Sequence, residues 1–250
     1  MGNQGAFVVE LGKLLKLTRK VSVMTTEVKH FFDDENWPEN LLSHSQNYNN
    51  SASNALGGND YLEFVNRLFT DTPSPKKDFN GYDLRFYDDF ESMMSEILQL
   101  NKEFGLSRLL AGFAWEYKSK KKPELFDIDI DGHQLRWNQT VKDWVNSPNS
   151  ANEVGSIHTI QGYDLNYAGV IIGNDLGYDT INQKIVFNRK NYFDAKGKEN
   201  NKVLGIKYSD DDILKYVINI YRVLLTRGIK GTFIYVCDPE LREVISAVFA

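Results

Sequence analysis

The chain has one cysteine, four histidines and six prolines in 250 residues, and the shortage of the first two closes several classes of function. A lone Cys237 can form no internal disulfide and no cysteine-based zinc site, which fits a reducing compartment and makes the cytoplasm the expected location. The histidines do not cluster with carboxylates at metal-ligand spacing. The sequence also lacks His-Glu-x-x-His, Gly-x-Ser-x-Gly and Gly-x-Gly-x-x-Gly, so no metal site is expected and an independent nuclease, hydrolase or dinucleotide oxidoreductase has little support. Nowhere do roughly 18 apolar residues run uninterrupted, and Met1-Gly2-Asn3-Gln4-Gly5 lacks the basic and apolar regions of a secretory signal. No membrane is expected among its partners. An excess of positive charge is missing too. With 29 basic and 34 acidic residues the formal charge is −5, so any nucleic-acid contact must be local.

What is present is a composition 42% hydrophobic and 13% aromatic, enough for one substantial core, which we read as a single domain over residues 1–250. Val8, Leu11, Leu14 and Leu15 recur at helical spacing ahead of the short apolar run Val21 to Met24, a helix feeding a strand. Residues 36–59 contain Trp37-Pro38 and an Asn/Ser/Gly-rich passage, expected as a long mobile loop. Tyr61, Phe64, Val65 and Leu68 share one face of a short helix. Leu84 to Tyr87 reads as a strand, Asp88 and Asp89 as caps, Met93 to Leu98 as part of a helix stopped at Gly105, and Leu109 to Phe113 as a second strand. That succession predicts a parallel pair with a right-handed crossover.

Residues 118–147 interrupt the pattern. The charge run Lys118 to Lys122 precedes alternating Phe126, Ile128 and Ile130, a turn at Asp131-Gly132, and Leu135 with Trp137, which together predict a hairpin insertion. Val154 to Thr159 then reads as a strand, 160–166 as a single turn, and Tyr167 to Ile172 as a strand covered on both faces. Residues 174–207 read as a loop with one strand near Ile185-Val186. Ser209 followed by Asp210, Asp211 and Asp212 starts a helix whose buried face runs from Ile213 to Leu225. Gly228 and Gly231 end it, Thr232 to Cys237 is a strand, and Asp238-Pro239 opens a last helix reaching about Phe249. The predicted class is therefore α/β, a mostly parallel sheet flanked by helices with a β-hairpin excursion.

Ligands in such sheets sit beyond the carboxyl ends of the strands, and two glycine-containing polar segments are expected there or beside it. They are Thr159 to Asp164 and Thr226 to Gly231. Gly162 beside Gln161 and Asp164 lets backbone amides approach an anion, and Arg227 at a helix end can present a permanently charged plane to a phosphate. Each also has an ordinary structural reading: Gly162 as a turn, Asp164 as a helix cap, Arg227 as compensation of a helix C-terminus, His158 as a satisfied strand histidine. Lys118 and Lys120 to Lys122, with Trp115 and Tyr117 nearby, form a local basic and aromatic patch able to stack bases, or else a solvated loop.

Taken together, Glu153 to Gly173 resembles motif V of superfamily 1 helicases, in the version of the Schlafen group 3-like DNA/RNA helicase domain family, and Tyr221 to Val236 is similar to that family's motif VI. Arg108 to Trp115 and Leu135 to Asn138 are further echoes, and the resemblance covers roughly residues 60–245. It implies a RecA-like fold of the P-loop NTPase type, namely the second, C-terminal domain of a helicase or translocase. ATP and Mg²⁺ would be held by an N-terminal RecA-like P-loop domain or split-gene partner. On this resemblance Arg227 matches the arginine that stabilises the transferring phosphoryl group. Gln161, Gly162, Asp164 and Thr226 match nucleotide-contacting positions, while His158, Thr159, Trp115, Lys120 and Lys121 fall to single-stranded DNA or RNA.

The departures are as informative. No Gly-x-x-x-x-Gly-Lys-[Ser/Thr] occurs, because Phe7 and Tyr192 stand where Gly12-Lys13 and Gly197-Lys198 would need the first glycine. Asp33-Asp34-Glu35 follows no apolar strand, Thr25-Thr26-Glu27 replaces an acidic, Gln-containing strand end, and Ser45-Gln46-Asn47 stands where the family has Gln-x-Arg. Asp164 stands where Glu is more usual. The chain is therefore expected to hold neither ATP nor Mg²⁺ alone and to hydrolyse nothing unaided. The other reading is a degenerate module that binds nucleic acid or a protein.

Overall fold

A computed structural model of the chain describes residues 57–70, 72–200 and 207–250. The helix and strand expected before residue 25, and all but the last three residues of the loop expected at 36–59, lie outside these. Of those three, Gly58 and Asn59 already belong to the first helix.

The described elements, in chain order, are α1 Gly58–Leu68, β1 Asp83–Phe86, α2 Phe90–Phe104, β2 Ser107–Ala111, β3 Ile128–Ile130, β4 His133–Trp137, β5 Glu153–Gly155, α3 Ile157–Ile160 and β6 Leu165–Ile172. They continue with β7 Leu176–Asp179, β8 Lys184–Phe187, α4 Asp210–Leu225, β9 Gly228–Val236 and α5 Pro239–Ser246. Local chemistry sets most helix ends. Asp89, Ser209 and Asp238 each accept a backbone N–H three residues on, satisfying an otherwise unpaired donor, and Gly105 at φ 69° ends α2.

The main sheet has the order β1-β9-β6-β2-β5-β4-β3, parallel throughout except for the antiparallel β3–β4 edge. Residues alternate between its faces with period two. In β6 and β9 the residues Ala168, Val170, Ile172, Ile234 and Val236 join the core shared with α1, α4 and α5, while Ile171, Phe233 and Tyr235 join the one under α2. This is an α/β arrangement compatible with a RecA-like fold. Two expectations need correction. β1 and β2 are not a pair, because β9 and β6 lie between them. Nor is the hairpin a mere excursion: β4 pairs in parallel with β5 and so extends the sheet.

Buried Asp127 explains how the lysine run is held against that edge. It accepts the Ser119 N–H at 2.7 Å and hydroxyl at 2.6 Å, and the Trp137 N–H at 2.8 Å. A carboxylate bonded this way fixes the turn that displays Lys118 to Lys122.

Candidate functional site at two edges of the sheet

The motif-like residues divide between opposite ends of the strands. This corrects the expectation that both segments lie at or beside the carboxyl ends. Asp164 immediately precedes β6 and Arg227 immediately precedes β9, and the two strands start in register, Leu165 opposite Gly228. Both residues therefore sit at the amino edge, and Leu165 donates its N–H to the Arg227 carbonyl at 2.9 Å.

The turn before β6 has an ordinary backbone. Gln161 has φ −60° and ψ 126°, Gly162 has φ 80°, and the Tyr163 N–H bonds the Ile160 carbonyl at 3.1 Å. This is a type II turn, whose third position requires a positive φ, hence glycine. Gln161, Gly162 and Asp164 are all exposed.

Arg227 is set by the last turn of α4, where carbonyls without helical partners must be satisfied. Thr226 donates its hydroxyl to the Val223 carbonyl at 3.0 Å, and Arg227 Nε donates to the same oxygen at 3.2 Å. Tyr61 and Thr232 donate to the Leu225 carbonyl at 2.6 and 3.0 Å. The outer edge of the guanidinium lies 3.9 Å from the Asp164 carboxylate, and the side chain keeps 19% of its surface exposed. Arg227 thus serves the helix end and places its charge at the edge beside the Gln161–Asp164 turn.

A bulge in β9 aims this corner. Between the pairs Leu165–Gly228 and Tyr167–Gly231 the second strand carries one extra residue, the kind of irregularity that redirects a strand end. A Cβ on Gly228 would lie 2.0 Å from the Gly231 carbonyl oxygen, which cannot yield without breaking the bulge. Gly228→Ala is expected to lower stability by about 2 kcal/mol, read as a reduced midpoint in urea. An unchanged midpoint would show that the bulge relaxes freely.

At the carboxyl edge the sequence also misjudged the local structure. His158 and Thr159 are not in a strand: β5 ends at Gly155, and Ser156 caps the single helical turn α3. Thr159 is buried and its hydroxyl is bonded to Ser156, accepting from its N–H at 2.9 Å and donating to its carbonyl at 2.9 Å. Its job in this geometry is to hold the turn. His158 stays exposed, with its ring 5.3 Å from that of Phe113. Partial loss of solvent lowers the imidazole pKa, and Asp194 opposes this while Lys196 adds to it.

His158 lines an open cleft of about 610 Å³ together with Phe113, Trp115, Tyr117, Phe193 and Lys196. Trp115 is half-buried over Gly173, and Lys120 and Lys121 are exposed on the turn held by Asp127. Sequence reasoning found Trp115, Tyr117 and His158 but missed Phe113 and the 193–196 segment. The only local signal was an aromatic residue beside charges in a polar stretch, too weak to show what it faces.

Below this edge lies a buried relay. The Gly173 N–H donates to the Tyr221 hydroxyl at 2.9 Å, and that hydroxyl donates to Asp175 Oδ1 at 2.6 Å. Burial pushes the Asp175 carboxyl up to about 7, and its Oδ2 has no hydrogen-bond partner. Gly112 leaves the space that the Tyr221 hydroxyl occupies. Among the described residues no group of three or more His, Cys, Asp or Glu could hold a metal ion, and no helix is long and apolar enough to cross a membrane.

Comparison with known proteins gives a family. The model of the family described as Schlafen group 3, DNA/RNA helicase domain, matches residues 32–238. The Saccharomyces cerevisiae (strain ATCC 204508 / S288c) protein printed as "Uncharacterized protein YPL245W" is 36% identical over 167 residues, which are 65% of this chain and 36% of that protein. The chain therefore spans about a third of the length of the curated relative it matches. No solved structure matches it.

Proposed function

The chain belongs to the Schlafen group 3 DNA/RNA helicase domain family, and from that premise we propose that it is the C-terminal RecA-like half of an ATP-dependent helicase or translocase. The observation that carries this reading is the pairing of Arg227 with Asp164 at the amino ends of two adjacent parallel strands. A guanidinium anchored through Nε on the Val223 carbonyl and set 3.9 Å from Asp164 suits stabilisation of charge on a phosphoryl group delivered from outside. The residues at this edge fit the role of completing an ATP site. They do not fit that of a phosphate cradle, because the chain has no Gly-x-x-x-x-Gly-Lys-[Ser/Thr] run. Bound ATP with Mg²⁺ would supply the reacting phosphate. Arg227 would leave Asp164 for it, and Gln161, Gly162 and Thr226 would shape the wall beside it.

The test is reconstitution. The chain is mixed with an N-terminal P-loop half, and ATP hydrolysis is measured with and without single-stranded nucleic acid. Hydrolysis that appears only in the mixture supports the reading. Equal rates for the P-loop half alone and for the mixture defeat it.

A second reading, a non-catalytic module that binds nucleic acid, is favoured by the carboxyl edge, where exposed lysines follow a half-exposed aromatic stretch. It makes a separate prediction. Single-stranded oligonucleotides should be retained at low salt, and the Lys120→Ala/Lys121→Ala double variant should flatten the log-affinity against log-salt slope by roughly 1 to 1.5, at about 0.7 per phosphate contact. An unaltered slope would return these lysines to the role of a solvated turn.

A further inference from the structure

We propose that the cleft at the carboxyl edge is a pocket for one unstacked nucleobase, and that it prefers bases with an exocyclic amino group over thymine and uracil. The proposal rests on the nucleic-acid reading of this edge and adds to it what the edge selects. One wall is the segment after β2, carrying Phe113, Trp115 and Tyr117; the other is Phe193 to Lys196. The Phe193 N–H donates to the Phe113 carbonyl at 2.7 Å, so backbone ties the walls together and the opening exists without rearrangement. Phe193 leaves 43% of its surface in water and lines the cleft. Exposed aromatic rings stack bases of any identity.

Selection comes from the acids that line the cleft. Glu116 and Asp194 both line the cleft. Asp194 Oδ1 accepts the Gly197 N–H at 3.0 Å and its Oδ2 is buried against Gly197, so Asp194 contributes its charge from the wall and direct contact with a base falls to exposed Glu116. Carboxylates repel a phosphodiester, so the backbone stays outside, toward the lysine turn, and the base enters. Ionised carboxylates only accept hydrogen bonds. Cytosine, adenine and guanine each offer an amino group with donor hydrogens, as in the pairing of acidic side chains with cytosine N4. Thymine and uracil offer a single imide N–H flanked by two carbonyl oxygens, whose lone pairs face the same negative charge. His158, its pKa lowered, adds an uncharged ring to the lining at neutral pH.

The experiment measures anisotropy of labelled dodecamers of deoxycytidine and of deoxythymidine with the full chain at low salt. Wild type is expected to bind the cytosine strand at least about fivefold tighter. Glu116→Gln, at an exposed position, is expected to narrow that ratio while the salt slope stays put. Phe193→Ala is expected to weaken the cytosine strand about tenfold. Equal affinity for both strands, or wild-type affinity in Phe193→Ala, overturns the pocket while leaving the wider reading of the edge in place. Failure to retain either strand overturns both.

Discussion

In the reconstituted pair, Arg227→Ala is expected to reduce nucleic-acid-stimulated ATP hydrolysis by a factor on the order of 10³ or more, the loss typical when an arginine opposite a transferring phosphoryl group is removed. The effect should fall on turnover more than on the Michaelis constant for ATP, because the charge it meets develops in the transition state. Loss of the helix-end bond from Nε to the Val223 carbonyl costs little by itself, since Thr226 also donates to that oxygen. The variant should therefore melt within a few degrees of wild type. Arg227→Lys separates charge from geometry: an ammonium supplies the charge but cannot bond Val223 and a phosphate through one rigid plane. It is expected to fold normally and still turn over slowly. Wild-type turnover in the alanine variant would return Arg227 to the plain role of compensating a helix C-terminus.

The second large effect concerns Asp175. Its carboxyl sits at about 7 in the fold against an ordinary value near 3.8, because burial penalises the charged form more than the Tyr221 hydrogen bond favours it. Tyr221, Tyr192 and Cys237 beside it are themselves pushed up by burial and stay neutral. Between those two values the folded chain keeps a proton that the unfolded chain releases. Stability is therefore full below about pH 4, falls as pH rises to about 7 and levels off above, a loss of about 4 kcal/mol from this group. Asp175→Asn keeps an acceptor for Tyr221 and removes the titration. Urea midpoints measured from pH 4.5 to 8 should show the variant gaining on wild type as pH rises. Parallel curves would mean that Asp175 is ionised in the fold.

Elements set by neighbours in sequence were legible, and arrangements set by distant strands were not. The caps Asp89, Ser209 and Asp238 could be read directly, because a capping side chain acts within three residues. So could the continuous apolar run of β6, covered on both faces. The insertion of β9 and β6 between β1 and β2 could not, since no local pattern records which strand pairs with which. His158 fell within the stretch Val154 to Thr159, which reads as a strand. The capping box of Ser156 with Thr159 overrode that and turned the backbone into α3. β7 was missed because Leu176-Gly177-Tyr178-Asp179 has the composition of a turn; its pairing with β8 is what makes it a strand. At the candidate site, the identity of Arg227 and Asp164 was legible but their edge was not. A segment between a helix and a strand enters the sheet at the strand's beginning, a topological fact that glycine content does not reveal.

The final turn of α4 is fastened at two places only two residues apart. The Tyr221 hydroxyl reaches Gly173 and Asp175 past the far end of β6, and the Val223 carbonyl holds Arg227 at the near end of β9. That turn is a shared fulcrum. A rotation of that turn would have to carry both fastenings with it, one at each rim of the sheet.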